Sequence, residues 1–318
     1  MKRDPFDIWL DQARAAPLGG GWRVGASVVL SLVGALVSQM VLTVALLLAA
    51  GAGPEGFDQF SSFTSTTILL LSFAGIWIGV FALRFWLHGL TPATIWGWSR
   101  RFEARPFWGG VLCALAGRVV FIPLMLGYLA LSGNLAMMQA AEAAVADSAR
   151  SGPPDGFLWM AILLFPLTIL QSGAEEMLFR GHMTQILAAR WRGAVWLWAG
   201  LPLLLFSGLH VTSVTPDMGL SLMSVQILFA AGMGVMTLAM TRAEGGISGA
   251  VGFHAMNNYI VFLLLFMEGG EVSPEAALSS SGLEPLELLT TMALYVGACL
   301  WVFTTPRLPF GRWIGLRP

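Results

Sequence analysis

Charge is scarce in this sequence. Only 11% of its 318 residues are charged, about half the share of an ordinary soluble domain, while 56% are hydrophobic and the mean hydropathy is +0.74. That balance excludes a soluble globular enzyme. With a formal net charge of -1 there is no basic field to hold nucleic acid, and no such partner is expected. Cysteine is equally sparse: Cys113 and Cys299 both sit inside apolar runs, where they read as small hydrophobes and not as a disulfide or a metal pair.

What the sequence does have is apolar runs of about 20 residues, too long for barrel strands and sufficient to cross a bilayer as helices. An all-α, polytopic transmembrane helical bundle of about eight spans is expected. The runs are Val24 to Ala50, Thr66 to Leu87, Phe107 to Leu131, the run starting at Phe157, Ala194 to Val211, Met218 to Met240, Ile247 to Met267 and Leu288 to Phe303. Ahead of them, Asp4, Asp7 and Asp11 mix with Arg3 and Arg14 around Phe6, Ile8, Trp9 and Leu10, the pattern of a short helix lying at the membrane interface and not of a secretory signal. Arg84, His88, Arg100, Arg101 and Arg105, interleaved with Trp86, Trp96, Trp98 and Trp108, form a basic connection whose tryptophans suit an interfacial belt. Of the 17 Lys and Arg residues, all but Arg118, Arg150 and Arg180 fall in the tails or in loops on their side, which places both termini in the cytoplasm.

This organisation divides the chain into an interfacial segment (1–23), three spans with their loops (24–156), a polar-bearing core (157–267), and an outer acidic loop, last span and cytoplasmic tail (268–318). Between Ser132 and Gly156 an Ala-rich stretch reads as a surface helix, and Asp217 lies in a short loop before the sixth run. After Arg180 and Gly181 the pattern turns amphipathic as far as Arg192, as for a bend onto the membrane surface, and His182 reads as an interfacial histidine. Arg118 is expected to snorkel to the surface or to pair with an intramembrane acid. The small residues of Ala230 to Met240 read as close helix packing.

Within the core, QSGAEEMLFRGHMTQ (Gln171 to Gln185) sets Glu175, Glu176 and Arg180 in an apolar helical run, where ionised groups are expensive and usually functional. Positions i and i+4 share a helix face, so Glu176 can pair with Arg180 while Glu175 points elsewhere. Taken alone, the cluster serves equally as a buried ion pair that fixes packing. Two later spans add Phe206 and His210 as F-x-x-x-H, and His254 and Asn258 as H-x-x-x-N on one helix face. Two histidines, an asparagine and a Glu-Glu pair in late spans are expected to converge on one site.

The ordered set E-E-x-x-x-R, F-x-x-x-H and H-x-x-x-N resembles the CAAX protease and bacteriocin-processing family of intramembrane proteases, also called the abortive-infection family, over about residues 157 to 267. The resemblance implies an intramembrane endopeptidase in which Glu175 and His210 activate a water, His254 and Asn258 donate to the oxyanion, and Glu176, Arg180 and Phe206 support them. It leaves the metal open: Glu175, His210 and His254 are an ordinary Zn2+ set, yet the H-E-x-x-H helix is absent and a metal-free glutamate mechanism is favoured. Eukaryotic members of the family trim prenylated proteins, while bacterial relatives are linked with peptide maturation and bacteriocin immunity. One lysine against 16 arginines suggests a GC-rich bacterial source, hence an inner-membrane location and a peptide or membrane-protein substrate without a prenyl group. Two other classes fit the composition: a non-catalytic membrane binding or bacteriocin-immunity protein, and an ion-coupled transporter built on a Glu and His relay. Oligomeric state has no signature here.

Overall fold

The computed structural model describes residues 3–16, 20–53, 55–133, 156–210, 220–267 and 285–315. All regular structure among them is helical. In chain order the α-helices are α1 (Pro5–Arg14), α2 (Gly21–Ala49), α3 (Ser62–Ser72), α4 (Ala74–His88), α5 (Ala104–Ser132), α6 (Phe157–Glu176), α7 (Gln185–Arg190), α8 (Leu201–Leu209), α9 (Leu220–Glu244), α10 (Ser248–Met267), α11 (Pro285–Thr304) and α12 (Pro309–Ile314). The Ala-rich stretch, Arg150, the Asp217 loop and the acidic loop from Glu268 to Glu284 lie outside the described residues.

Among the described residues, six helical stretches are long and apolar enough to cross a membrane: Gly21–Ala49, Ser62–His88, Ala104–Ser132, Phe157–Arg190, Met223–Glu244 and Leu286–Thr304. The chain is therefore an integral membrane protein of helical-bundle type. The expected fifth run forms a shorter apolar helix, Trp196–Leu209, and the expected seventh is the 20-residue α10, which carries His254, Asn257 and Asn258 near its middle.

Close backbone contact holds the bundle together where glycines face one another. A Cβ on Gly110 would lie 2.0 Å from the Gly249 carbonyl oxygen, and one on Gly252 would lie 2.0 Å from that of Phe107, so α5 and α10 meet main chain to main chain. On the other side, Gly75 and Gly79 of α4 bring α2 equally near: their Cβ positions fall 2.4 Å from the Ser38 oxygen and 2.8 Å from the Gly34 oxygen. Cys113 and Cys299 are free and buried, as small hydrophobes would be.

Two surface expectations are corrected by packing. Helix α1 forms where expected, with Asp4 as its N-cap, but Phe6, Trp9, Leu10 and Ala13 are fully buried against protein, and Trp9 Nε1 donates to the Thr94 carbonyl at 2.8 Å. Salt bridges Arg192–Asp7 (3.1 Å) and Arg242–Asp4 (2.6 Å) fasten the same helix to the core. An amphipathic pattern specifies one apolar side and is silent on whether lipid or protein covers it. Arg118 likewise turns into the protein and meets no acid among the described residues: it donates to Asn257 Oδ1 at 2.7 Å and to the Tyr295 hydroxyl, with the Tyr295 ring centroid 4.9 Å away.

Candidate active site

The helix that starts at Phe157 does not stay α-helical. From Met177 to Thr184 it widens into a π-helical segment before α7 resumes. Side-chain bonding matches the wider turn, because Thr184 Oγ1 donates to the carbonyl of Phe179 five residues earlier at 3.0 Å. Gly181 lets this turn press against the Pro92–Ile95 turn, where a Cβ would stand 2.7 Å from Ile95 Cγ1. Met177 through Ala188 are all buried. The bend expected onto the membrane surface is thus a passage through the protein interior, and His182, expected at the interface, is fully buried.

The wider turn arranges four charge-bearing groups in a row. Arg180 Nε lies 3.3 Å from Glu176 Oε2, the i,i+4 pair read from the sequence. Glu176 Oε1 lies 2.8 Å from His254 Nδ1, and the far ring nitrogen, Nε2, lies 3.6 Å from Glu175 Oε2. A carboxylate accepts only, so Nδ1 carries the hydrogen and the Arg180–Glu176 pair orients the imidazole toward Glu175. Glu175 Oε1 in turn accepts from Gln171 Nε2 at 2.6 Å. Its Oε2 is buried and makes no hydrogen bond among the described residues. Leaving a buried carboxylate oxygen without a donor costs more than the 1–3 kcal/mol of a neutral polar group.

Glu175 also lines a cavity of about 260 Å³, together with Phe206 and His210 among others. His210 is turned by its own helix, its Nδ1 standing 2.8 Å from the Phe206 carbonyl oxygen. The Phe206 ring is the hub of the site: its centroid lies 4.8 Å from His210, 5.8 Å from His254 and 4.3 Å from the Arg180 guanidinium carbon. Asn258 is placed differently from the histidines, since its Nδ2 donates to Gln171 Oε1 at 2.7 Å, with Ser172 Oγ at 3.4 Å. The three motifs therefore come together, with His254 between the two glutamates, His210 on the cavity, and Asn258 on the amide that holds Glu175.

Residues 156–260 match the Rce1-like family of type II CAAX prenyl endopeptidases. The matched segment contains every motif residue from Glu175 to Asn258, in agreement with the resemblance read from the motifs, and it supports an intramembrane protease of the CAAX type. No curated protein and no solved structure matches the chain. The family segment includes α6, the π segment, α7, α8, α9 and most of α10, whereas α1 to α5 lie outside it.

Among the described residues no three His, Cys, Asp or Glu side chains are grouped to hold a metal. His254 Nδ1 is engaged by Glu176, and Glu175 Oε1 by Gln171.

Sequence reasoning missed the groups that brace the family's motif helix. Gln171 and Ser172 carried no signal beyond their polarity, although Ser172 Oγ donates to Gln171 Oε1 at 3.1 Å and fixes the amide on Glu175. Arg84 and His88, assigned to the basic connection, are instead buried in α4. Arg84 donates to Thr94 Oγ1 (2.9 Å) and Gln185 Oε1 (2.8 Å), and lies 3.1 Å from His182 Nδ1. A guanidinium has no acceptor, so His182 Nδ1 must accept and its Nε2 must carry the hydrogen toward Ser27 Oγ at 3.1 Å. Ser27 then passes its own hydrogen to His88 Nε2 at 2.9 Å. One cation fixes both tautomers across α2, α4 and the π segment.

Gly234 on α9 makes room for the charge row. A Cβ there would lie 2.8 Å from Arg180 Nη2 and 2.4 Å from Leu203 Cδ1, which agrees with the close packing read from the small residues of this stretch. Gly234→Val is expected to destabilise the protein by about 1–3 kcal/mol as an overpacking change and to reduce activity by moving Arg180; unfolding in detergent micelles checks the first effect.

Proposed function

We propose that the chain is an intramembrane endopeptidase in which Glu175 acts as the general base. The observation that carries this reading is Glu175: it lines a cavity that His210 also borders, and its Oε2 is buried, without a hydrogen bond among the described residues, and 3.6 Å from a histidine that a second glutamate orients. A water in that cavity gives a proton to Glu175 and its oxygen adds to the peptide carbonyl carbon. Collapse of the tetrahedral adduct breaks the C–N bond, and Glu175 returns the proton to the departing amine. His210 faces the water and the carbonyl from the other side of the cavity. His254, its Nδ1–H held by Glu176, presents Nε2 to Glu175 as an acceptor for that carboxyl once it has taken the proton. Asn258, expected as an oxyanion donor, acts in this geometry through Gln171, and direct donation requires it to exchange that partner for substrate. The motif segment 157–267 is the catalytic core of this scheme.

The non-catalytic and transport readings gain no specific support, because neither explains a carboxylate on a cavity wall with one oxygen left without a hydrogen bond among the described residues. The proposed setting is a bacterial inner membrane with both termini cytoplasmic, and the proposed substrate is a peptide or membrane protein presented within the lipid. Comparing membrane peptidomes of cells carrying the parent or Glu175→Gln tests the assignment: peptides present only with the parent support it, and identical peptidomes overturn it.

The chemistry is proposed to need no metal. Purified protein treated with a chelator and dialysed is expected to retain its cleavage rate, with metal analysis showing less than one ion per chain. A loss restored by zinc would return Glu175, His210 and His254 to the role of ligands.

A further inference from the structure

The cavity beside Glu175 is only half built from the family segment. Its far wall comes from Ala35, Leu36 and Gln39 of α2, Phe73 at the α3–α4 junction and Ile76 of α4. We propose that this wall is a binding subsite for one uncharged side chain of the peptide substrate, adjoining the scissile bond, with Gln39 as its specificity-determining residue. The proposal rests on the protease reading above and adds to it the class of residue selected.

Size is the first argument. At about 260 Å³ the void falls below the roughly 300–1,000 Å³ of pockets that enclose whole small molecules, so it suits one side chain and a water beside the peptide bond. Chemistry is the second. Among the described residues, Gln39 is the one polar side chain lining it apart from Glu175 and His210, which the reaction uses, and no Lys, Arg or Asp does. A charged substrate side chain would be stripped of water there without a counter-charge, and an acidic one would also face Glu175. Gln39 is held loosely: the contact its amide makes with Ser72 Oγ is 3.5 Å long, while that hydroxyl is committed to the Leu69 carbonyl at 2.6 Å. Its amide is thus positioned to hydrogen-bond a hydroxyl or amide on the substrate.

The wall is also stiff and reaches the membrane. Gly34, Gly75 and Gly79 set the spacing of α2 and α4 by main-chain contact, so the width of the subsite cannot be adjusted by rotamer changes alone. Leu36 lines the cavity and is nevertheless 45% exposed, on the same outward side of α2 as Val33 and Met40. The subsite therefore meets the lipid-facing surface at Leu36, and a segment lying in the bilayer can offer a side chain to it without crossing water.

The test is a cleavage profile of the full chain in proteoliposomes against transmembrane peptides varied at each position flanking the cut. The parent is expected to disfavour Asp, Glu, Lys and Arg at one position by at least about tenfold. Ala35→Leu should shift that position toward smaller side chains and Leu36→Ala toward larger ones, each by about 10- to 200-fold, the range for a methylene-sized change in a pocket. Gln39→Leu should lower the Thr-over-Val ratio there by at least about tenfold. Size-exclusion profiles check folding, and if Ala35→Leu does not assemble, the enlarging Leu36→Ala variant carries the size test. A Glu175-dependent cleavage whose profile is unmoved in Leu36→Ala and Gln39→Leu overturns the subsite alone. A parent that cleaves no peptide overturns the protease reading and the subsite together.

Discussion

Replacing Glu175 by glutamine is expected to lower kcat by about 10²- to 10⁴-fold, the contribution of a positioned general base, while leaving the fold intact. The amide keeps the shape of the carboxylate, and its carbonyl oxygen can still accept from Gln171 Nε2, which sits 2.6 Å from Glu175 Oε1. Its new NH₂ falls where Oε2 stands, 3.6 Å from His254 Nε2, and a small approach lets it donate to that nitrogen. The variant buries no charge at this position and is expected to unfold no more easily than the parent. Single-turnover cleavage in detergent, read beside a thermal melt, separates the two quantities. Cleavage near the parent rate would remove Glu175 from the chemistry.

The second large effect is on stability. Arg180 and Glu176 are 2% and 0% exposed and share one contact at 3.3 Å, so Arg180→Met is expected to cost about 3–5 kcal/mol by leaving a carboxylate buried with no cation. Part of that loss should return in the Glu176→Gln, Arg180→Met double variant, which buries no uncompensated charge. The comparison forms a double-mutant cycle measurable by chemical unfolding in micelles. A single variant as stable as the parent would show that Glu176 is not charged in the folded state. Because Glu176 also orients His254, both variants are expected to lose activity, and the stability data distinguish loss of fold from loss of geometry.

What the sequence revealed about this site was local or chemical. The Glu176–Arg180 pair follows from helix geometry over four residues, and the motif residues could be named because charged and imidazole groups stand out in apolar helices. The helical bundle was legible for the same reason. What stayed hidden was set by contacts between distant parts of the chain. Arg84 was read as a loop charge because counting bases along a sequence takes no account of depth, whereas its partners Gly181, His182 and Gln185 lie about a hundred residues away. Ser27 looked like one more small residue in a first span, yet it bridges His88 and His182. The apolar side of α1 was legible, but the protein that covers it was not.

The π segment also ties the two ends of its helix to a single angular setting. Upstream, Glu175 and Glu176 must face Gln171, His254 and the cavity; downstream, His182 and Gln185 must face Arg84 and Thr94. Rewinding Met177 to Thr184 as plain α-helix with no residue removed would rotate one end against the other by about 100°, one residue's turn. Either the two glutamates or the anchoring side chains would then point away from their partners, so a plain α-helix of the same length could not keep both.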